Sequence, residues 1–323
     1  MRIKGTVVFA ALTAAAVVVG LGSSASAAER SAPAPKGDGH VVMLAPTTSQ
    51  ERAAGGGGRS HDFTGDGIPD ILARQYGSAL MVYKNGGAFN GTATYPRATF
   101  INDGWGGFSW IGTADLNGDG FADVVATTPD GGLYAALHSG QFNGTTTLQS
   151  GLVYLGWGWN INDMMYVYDY NGDGLDDILA RRAGTGDSYV YFNNGLNGID
   201  TLQAPVKFMD NGEYDAYQGI ADVDLDGSPD FVYLSNGRLI MIALNYSGGA
   251  VLGYGWETVN SITFTDVDND GRDDIIAKRN SDSTLLAYQR TPHWFVDPDG
   301  TAFTTYTAPM AVGTNWYIND IIA

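Results

Sequence analysis

The stretch DLNGDGFADVVA, Asp115 to Ala126, decides the fold. It carries Asp at its first, fifth and ninth positions, Asn at its third and Gly at its sixth, and an apolar pair follows. A hard cation such as Ca²⁺ takes about six to eight oxygens, and a tight loop supplies them from alternate positions. Glycine at the sixth position lets the chain turn sharply without a Cβ in the way. The pattern returns four times, as DFTGDGIPD from Asp62, DYNGDGLDD from Asp169, DVDLDGSPD from Asp222 and DVDNDGRDD from Asp266. The side-chain oxygens are those of Asp62, Thr64, Asp66 and Asp70 in the first loop, and of Asp115, Asn117, Asp119 and Asp123 in the second. In the third they are those of Asp169, Asn171, Asp173 and Asp177, in the fourth Asp222, Asp224, Asp226 and Asp230, and in the fifth Asp266, Asp268, Asp270 and Asp274. Five such loops at near-constant period mark a repeated metal-bracing unit.

The first aspartates lie 53, 54, 53 and 44 residues apart. An EF-hand would flank each loop with helices and place a bidentate Glu at position 12. Here position 12 is Ala73, Ala126, Ala180, Tyr233 or Ala277, which excludes that reading. The apolar pairs Ile71-Leu72, Val124-Val125, Ile178-Leu179, Phe231-Val232 and Ile275-Ile276 follow directly on the loops and read as strands. In the second repeat four strands are expected: Ser109 to Ala114, Asp123 to Thr128, Gly132 to His138, and one near Gly151 to Leu155. The turn before the last reads FNGT from Phe142, as it does from Phe89 one repeat earlier. Four short strands per period predict an all-β chain, a five-bladed β-propeller.

A Trp stands ten residues before the loop in three repeats, at Trp105, Trp159 and Trp256. Trp316 repeats the spacing near the C-terminus, while the first loop lacks a preceding strand of its own. The strand from about Trp316 to Ile322 is therefore expected to close the ring beside the loop at Asp62, which removes an exposed edge.

Arg2 and Lys4 precede an apolar run from Thr6 to Leu21 and a small-residue segment ending at Ala28, the pattern of a secretory signal peptide over residues 1–28. Residues 29–60 are rich in Ala, Pro and Gly and read as a flexible arm, with His40 to Ala45 able to form one short strand. Residues 61–323 form the propeller, expected to be secreted, monomeric and without a membrane span. There is no cysteine, so disulfides and thiolate metal sites are excluded, and calcium is expected to brace the fold in their place. The four histidines lack zinc-like spacing. Of the 35 acidic residues behind the net charge of −18, 17 are Asp at loop positions 1, 3, 5 and 9. Ligand charge thus explains the acidity, and nucleic acid is excluded as a partner for want of a basic patch.

The pattern D-x-N-G-D-G-x-x-D followed by Ile-Leu-Ala-Arg, with Gly112 to Asp115 and Gly219 to Asp222 before two of the loops, resembles the FG-GAP/VCBS repeats. These occur in integrin α-subunit propellers and in secreted bacterial proteins and lectins. The resemblance spans residues 61–323 and implies about five Ca²⁺ ions, one per loop, between the first two strands of each blade. It adds the backbone carbonyls of Ile68, Phe121, Leu175, Ser228 and Arg272 at position 7 as ligands. Thr64 departs from the usual position 3, so the first site is expected to be the least tight.

No G-x-S-x-G elbow, H-E-x-x-H or phosphate loop is present, and a non-catalytic binding module is expected. Acids outside the loops, such as Asp103, Asp163, Asp187, Asp210, Glu213 and Glu257, show no pairing in sequence, although a propeller can bring distant acids together in an enzyme acting on polysaccharide. Trp105, Trp157, Trp159, Trp256 and Trp316 recur at related positions and are expected mostly to pack blades, with a minority facing a ligand. Trp110 and Trp294 stand off the pattern, and Trp294 with Phe295 lies in the longest connection, an outer hairpin tipped by Asp297 to Gly300 or a segment individual to this chain. The expected partner is a glycan or an extracellular protein. Some secreted bacterial propellers of similar sequence act on exported proteases or are transglutaminase substrates, and Gln50 in the arm would offer an accessible acceptor.

Overall fold

The computed structural model describes residues 59–209, 217–243 and 248–322. The signal segment, the arm with its short strand and Gln50, and Asp210 and Glu213 lie outside the described residues. Among the described residues, twenty strands form five antiparallel sheets of four. The first blade holds β1 (Ile71–Gln75), β2 (Ala79–Tyr83) and β3 (Ala98–Asn102). The second holds β4 (Trp110–Ala114), β5 (Asp123–Thr127), β6 (Leu133–Ala136) and β7 (Val153–Gly156). The third holds β8 (Asn162–Tyr168), β9 (Asp177–Arg182), β10 (Ser188–Tyr191) and β11 (Val206–Met209). The fourth holds β12 (Tyr217–Ala221), β13 (Asp230–Ser235), β14 (Arg238–Ala243) and β15 (Gly249–Tyr254). The fifth holds β16 (Val259–Thr265), β17 (Asp274–Arg279), β18 (Leu285–Tyr288) and β19 (Met310–Gly313), and β20 (Asn319–Ile322) completes the first blade. The ring is a five-bladed β-propeller.

Closure is as the sequence leads one to expect. β20 pairs antiparallel with β1, matching Ala73 with Ile322 and Arg74 with Ile321. The strand is shorter than the sequence suggests, because Trp316–Ile318 forms a 3-10 turn before it. The same turn, opened by Trp, precedes the inner strand at Trp105–Gly107, Trp159–Ile161 and Trp256–Thr258. All four Trp side chains are buried. Three of them pack with tilted rings across a blade boundary on a tyrosine: Trp316 on Tyr83 at 4.4 Å between centroids, Trp159 on Tyr191 at 4.6 Å and Trp256 on Tyr288 at 4.7 Å. At Trp256 and Trp316 the glycine three residues before, Gly253 or Gly313, lets the indole lie on the backbone. A Cβ at Gly253 would lie 2.6 Å from the Trp256 Nε1. Trp157 does not join this packing and is 62% exposed.

Strand polarity gives the ring two distinct rims. The acidic loops join the first strand of a blade to the second, so they share one rim with the connections between third and fourth strands. The Trp turns and the hairpins between second and third strands occupy the other, where the Trp105 amide donates to Ser78 and the Trp256 amide to Gly237. On the loop rim, each Asn-Gly turn reaches back over the outer strand of the preceding blade. Gly144 (φ +55°) would place a Cβ 3.6 Å from the Phe100 carbonyl, and Gly198 (φ +56°) one 3.8 Å from that of Tyr154.

The long connection after β18 makes the same move on a larger scale. It is not a free outer hairpin. The Val251 amide donates to the Gly300 carbonyl and the Ala302 amide to the Val251 carbonyl, so the segment lies along β15 of the fourth blade. Trp294 packs against that blade's core, while Phe295 is exposed.

Candidate metal loops and the two rims

Backbone conformation prepares the loops. Position 6 is glycine in the left-handed region in all five, with φ between 82° and 88°. Position 4 is left-handed too, as Gly65, Gly118, Gly172, Leu225 and Asn269. Two left-handed residues, two positions apart, turn successive N–H groups inward, onto the first Asp. In the second loop Asp115 Oδ1 accepts from Gly118 (2.8 Å) and Asp119 (3.1 Å), and Oδ2 from Gly120 (3.0 Å). The third loop repeats this with Asp169. Position 5 accepts from the N–H of position 7 in every loop, as at Asp119 from Phe121 (2.9 Å) and at Asp226 from Ser228 (2.8 Å).

The ninth residue ties loop to blade. One oxygen of Asp70 accepts the amides of Phe63 (3.1 Å) and Thr64 (3.0 Å) within the loop, and the other takes the Asn85 amide (2.8 Å) just after the third strand. Asp123 does the same with Leu116 and His138, Asp177 with Tyr170 and Asn193, and Asp274 with Val267 and Arg290. Without a cation beside them, burial pushes Asp70, Asp123 and Asp177 up to about 7, Asp274 to about 8 and Asp230 to about 9, with the neighbouring loop carboxylates adding to the rise. Several carboxyls held this close cannot all ionise unless a positive charge joins them.

The donor sets fit a hard cation best in the fourth and fifth loops. Asp222, Asp224 and Asp226 converge there, as do Asp266, Asp268 and Asp274, each group with oxygens within 4.8 Å of one another. Asp230 Oδ1 and Asp268 Oδ1 are buried without a hydrogen-bond partner. In the second and third loops the amide nitrogens of Asn117 and Asn171 donate to Asp119 and Asp173, at 3.0 and 2.9 Å. Two loops hold a side-chain cation of their own: Lys84 Nζ lies 2.8 Å from Asp66, and the Arg272 guanidinium meets Asp270. Thr64 stands at position 3 of the loop that Lys84 serves.

Three features of the loop rim escape a reading by motif. First, the residue whose amide the ninth Asp holds sends its side chain across to the preceding blade. Asn85 Nδ2 donates to Val267 (2.8 Å), Asn193 Nδ2 to Leu116 (2.9 Å) and Arg290 Nε to Val223 (3.0 Å), while His138 faces the Phe63 carbonyl. The acceptor is position 2 of the preceding loop each time. Different residue types perform one task, so no common letter betrays it; the Gly two residues on in Asn85-Gly-Gly87 and His138-Ser-Gly140 is the only hint. Second, position 8 is acidic twice, at Asp176 and Asp273, both buried. Burial raises them to about 8 and about 7, and each receives the amide of the preceding loop's first residue, Asp115 or Asp222. Third, Ser60 and His61 seat the start of the described chain at the axis, where the His61 Nδ1 meets Thr113 Oγ1 at 2.7 Å.

The opposite rim carries exposed rings: Tyr76 at 77%, Tyr317 at 71%, Trp157 at 62% and Tyr254 at 58%. Trp157 and Tyr254 each stand two residues before a buried Trp, which makes them equivalent across two repeats. Of the acids outside the loops, Asp163 pairs with Arg181, Asp187 with Lys207 and Asp282 with Arg279.

Residues 62–126 and 115–180 match the family model of the FG-GAP-like repeat. No curated protein matches the chain. Among solved structures, an Agrocybe aegerita lectin described by its specific recognition of non-reducing terminal N-acetylglucosamine is similar at 16% identity and a TM-score of 0.42. That similarity covers 77% of this chain and 65% of the lectin chain. Residues 62–180 thus carry FG-GAP-like repeats, within a five-bladed β-propeller whose blades share one loop design.

Proposed function

We propose that this chain is a secreted, calcium-braced, non-catalytic binding module that holds an extracellular glycan on the rim opposite its acidic loops. The carrying observation is the placement of Trp157 and Tyr254, exposed at equivalent repeat positions, with Tyr76 and Tyr317 on the same rim. A ring with a solvent-facing surface suits the apolar face of a sugar, and repeated weak sites gain strength by multivalency. The pairing of Asp163, Asp187 and Asp282 with surface Arg and Lys, rather than with other acids, supports a role without catalysis. An N-terminal segment of signal-peptide type supports export.

Calcium is proposed at the five loops on the strength of their convergent carboxylates and the partnerless oxygens of Asp230 and Asp268. An ion there supplies the positive charge that lets the buried acids ionise together. The first loop is proposed as the weakest site, because Lys84 already neutralises Asp66 and Thr64 brings no charge.

A glycan array probed with the calcium-loaded protein tests the reading. Binding that falls at least tenfold in Trp157→Ala and in Tyr254→Ala is the expected result. An array without hits, together with recovery of one exported protein from culture medium by the same rim, transfers the site to a protein partner. Retention of the chain in the cell, with residues 1–28 still attached, contradicts export.

A further inference from the structure

Every blade but one extends a cover to the blade before it. The turns at Asn90, Asn143 and Asn197 and the long connection after β18 each come back over the outer strand of the preceding blade. They do so at one equivalent position, Ala311 in β19, Phe100 in β3, Tyr154 in β7 and Val251 in β15. Each of these residues pairs just past the register shift of its hairpin, with Leu286, Met81, Tyr134 and Ile240 in turn. The outer edge of a sheet offers backbone groups to any extended chain, and a cover keeps strangers off it.

The fourth blade breaks the series. The connections between third and fourth strands are residues 84–97, 137–152, 192–205 and 289–309 in the other blades, but only 244–248 here. The Ala243 amide donates to the Gly248 carbonyl at 2.9 Å, which closes this hairpin on its own blade. The shortening matches the spacing of the fourth and fifth loops, 44 residues where the others stand 53 or 54 apart. The strand that a full-length connection would cover is β11 of the third blade. Its equivalent residue is Lys207, paired with Tyr189 past the same shift.

We propose that residues 40–45 of the N-terminal arm, His-Val-Val-Met-Leu-Ala, lie along the outer edge of β11 as an added strand. Pairing of this kind draws its strength from main-chain hydrogen bonds. Three observations select the chain's own arm. The described chain begins over this blade, where the Ser60 hydroxyl donates to Asp176 of the third acidic loop at 2.9 Å. From there to β11 is two to three strand spacings, roughly 10–14 Å. Residues 46–58 reach about 40 Å when extended and roughly 20 Å as a flexible coil, so they span the gap without strain. Within residues 29–60 this is the one stretch of strand composition, apolar and partly β-branched between Gly39 and Pro46. Tethering supplies it at an effective concentration on the order of millimolar, so weak pairing suffices. The proposal does not rest on the glycan reading, and either can fail without the other.

Amide hydrogen exchange of the calcium-saturated chain from residue 29 onward tests it, against a variant carrying Val42→Pro and Leu44→Pro. Proline has no amide to donate, so the variant arm cannot pair as a strand. The arm contributes no strand to the five blades, and the variant should melt with the parent. Outward-facing amides of Val206–Met209 should exchange at least roughly tenfold faster in the variant, while β7, under its own turn, stays unchanged. Equal exchange in β11 of the two proteins overturns the proposal. Protection that grows with protein concentration also overturns it, because a second copy then holds the edge. The chain has no cysteine, so a cross-link gives an independent readout. Val42→Cys, Met43→Cys and Leu44→Cys, each combined with Lys207→Cys, should yield a disulfide within one chain in at least one case. Cross-links only between chains, or none in any of the three, overturn the assignment of the arm.

Discussion

A single buried amide illustrates how blades are held to one another. Asn193 is 1% exposed; its Nδ2 donates to Leu116 of the preceding blade and to Asp176, and its Oδ1 accepts the Gly195 amide. Asn193→Ala strands two carbonyls and an amide, so it should cost about 2–3 kcal/mol in urea unfolding of the calcium-loaded protein. Removing the exposed partner Asp163 from Arg181 should cost under about 1 kcal/mol, because water screens that pair. The loop acids make a second, pH-dependent prediction. Without calcium, Asp70, Asp123 and Asp177 lie up at about 7, Asp274 at about 8 and Asp230 at about 9. A carboxyl raised on folding contributes fully below its unfolded value near ~4, and that contribution is lost as pH climbs through the raised value. In chelator, the melting temperature should therefore fall from pH 6 to pH 9. With calcium the carboxylates share a cation, so the slope should flatten and ion binding near pH 7 should release protons. Equal slopes with and without calcium would remove the loops as its source.

At the scale of elements, the long connection after β18 works as a cover for a neighbouring blade. Val251 exchanges backbone hydrogen bonds with Gly300 and Ala302, and Phe303 meets Tyr254 edge-on at 5.3 Å. Replacing residues 293–304 by a short Gly-Ser link should raise hydrogen exchange at Val251 in β15 and leave β18, from which the connection departs, protected. Exchange that rises in β18 instead would mean the segment serves its own blade. This docking was not legible in the sequence. DPDG between aromatic residues announces a turn, but nothing local states which strand the turn will lie along. The strands themselves were legible, since β4 to β7 fall within two residues of the positions that alternation and turn residues indicate. The same holds for the loops, where chemistry forces like residues into like places. It fails for the clasps, because Asn85, His138, Asn193 and Arg290 reach equivalent carbonyls with unlike side chains. It fails for Asp273 as well, whose loop position is acidic in only two of the five repeats and whose burial follows only from the packing of the blades.

The whole molecule depends on closure, and closure depends on contacts between first and last. β20 supplies the inner strand of the first blade, and Asn85 reaches across to the carbonyl of Val267 in the fifth loop. A ring spreads the loss of one blade contact to its neighbours, and there is no cysteine to hold the ends once they part. Calcium is therefore expected to govern the stability of the ring as a unit. Extracellular modules hold calcium at about 10⁻⁴ to 10⁻³ M. At tenfold excess over that constant each site adds about 1.4 kcal/mol, so five contribute roughly 7 kcal/mol, comparable to the net stability of many domains. For a domain of this size about 1 kcal/mol moves the melting temperature by roughly 2–4 °C, so chelation should lower it by about 15 °C or more. Asp119→Ala, which removes one ligand from one loop, should lower it by about 3–6 °C in calcium and by little in chelator. Calorimetry with and without calcium checks both. A chain whose melting is indifferent to the ion would need its buried loop carboxyls to be protonated or otherwise neutralised at neutral pH, and proton counting on unfolding would then identify that state.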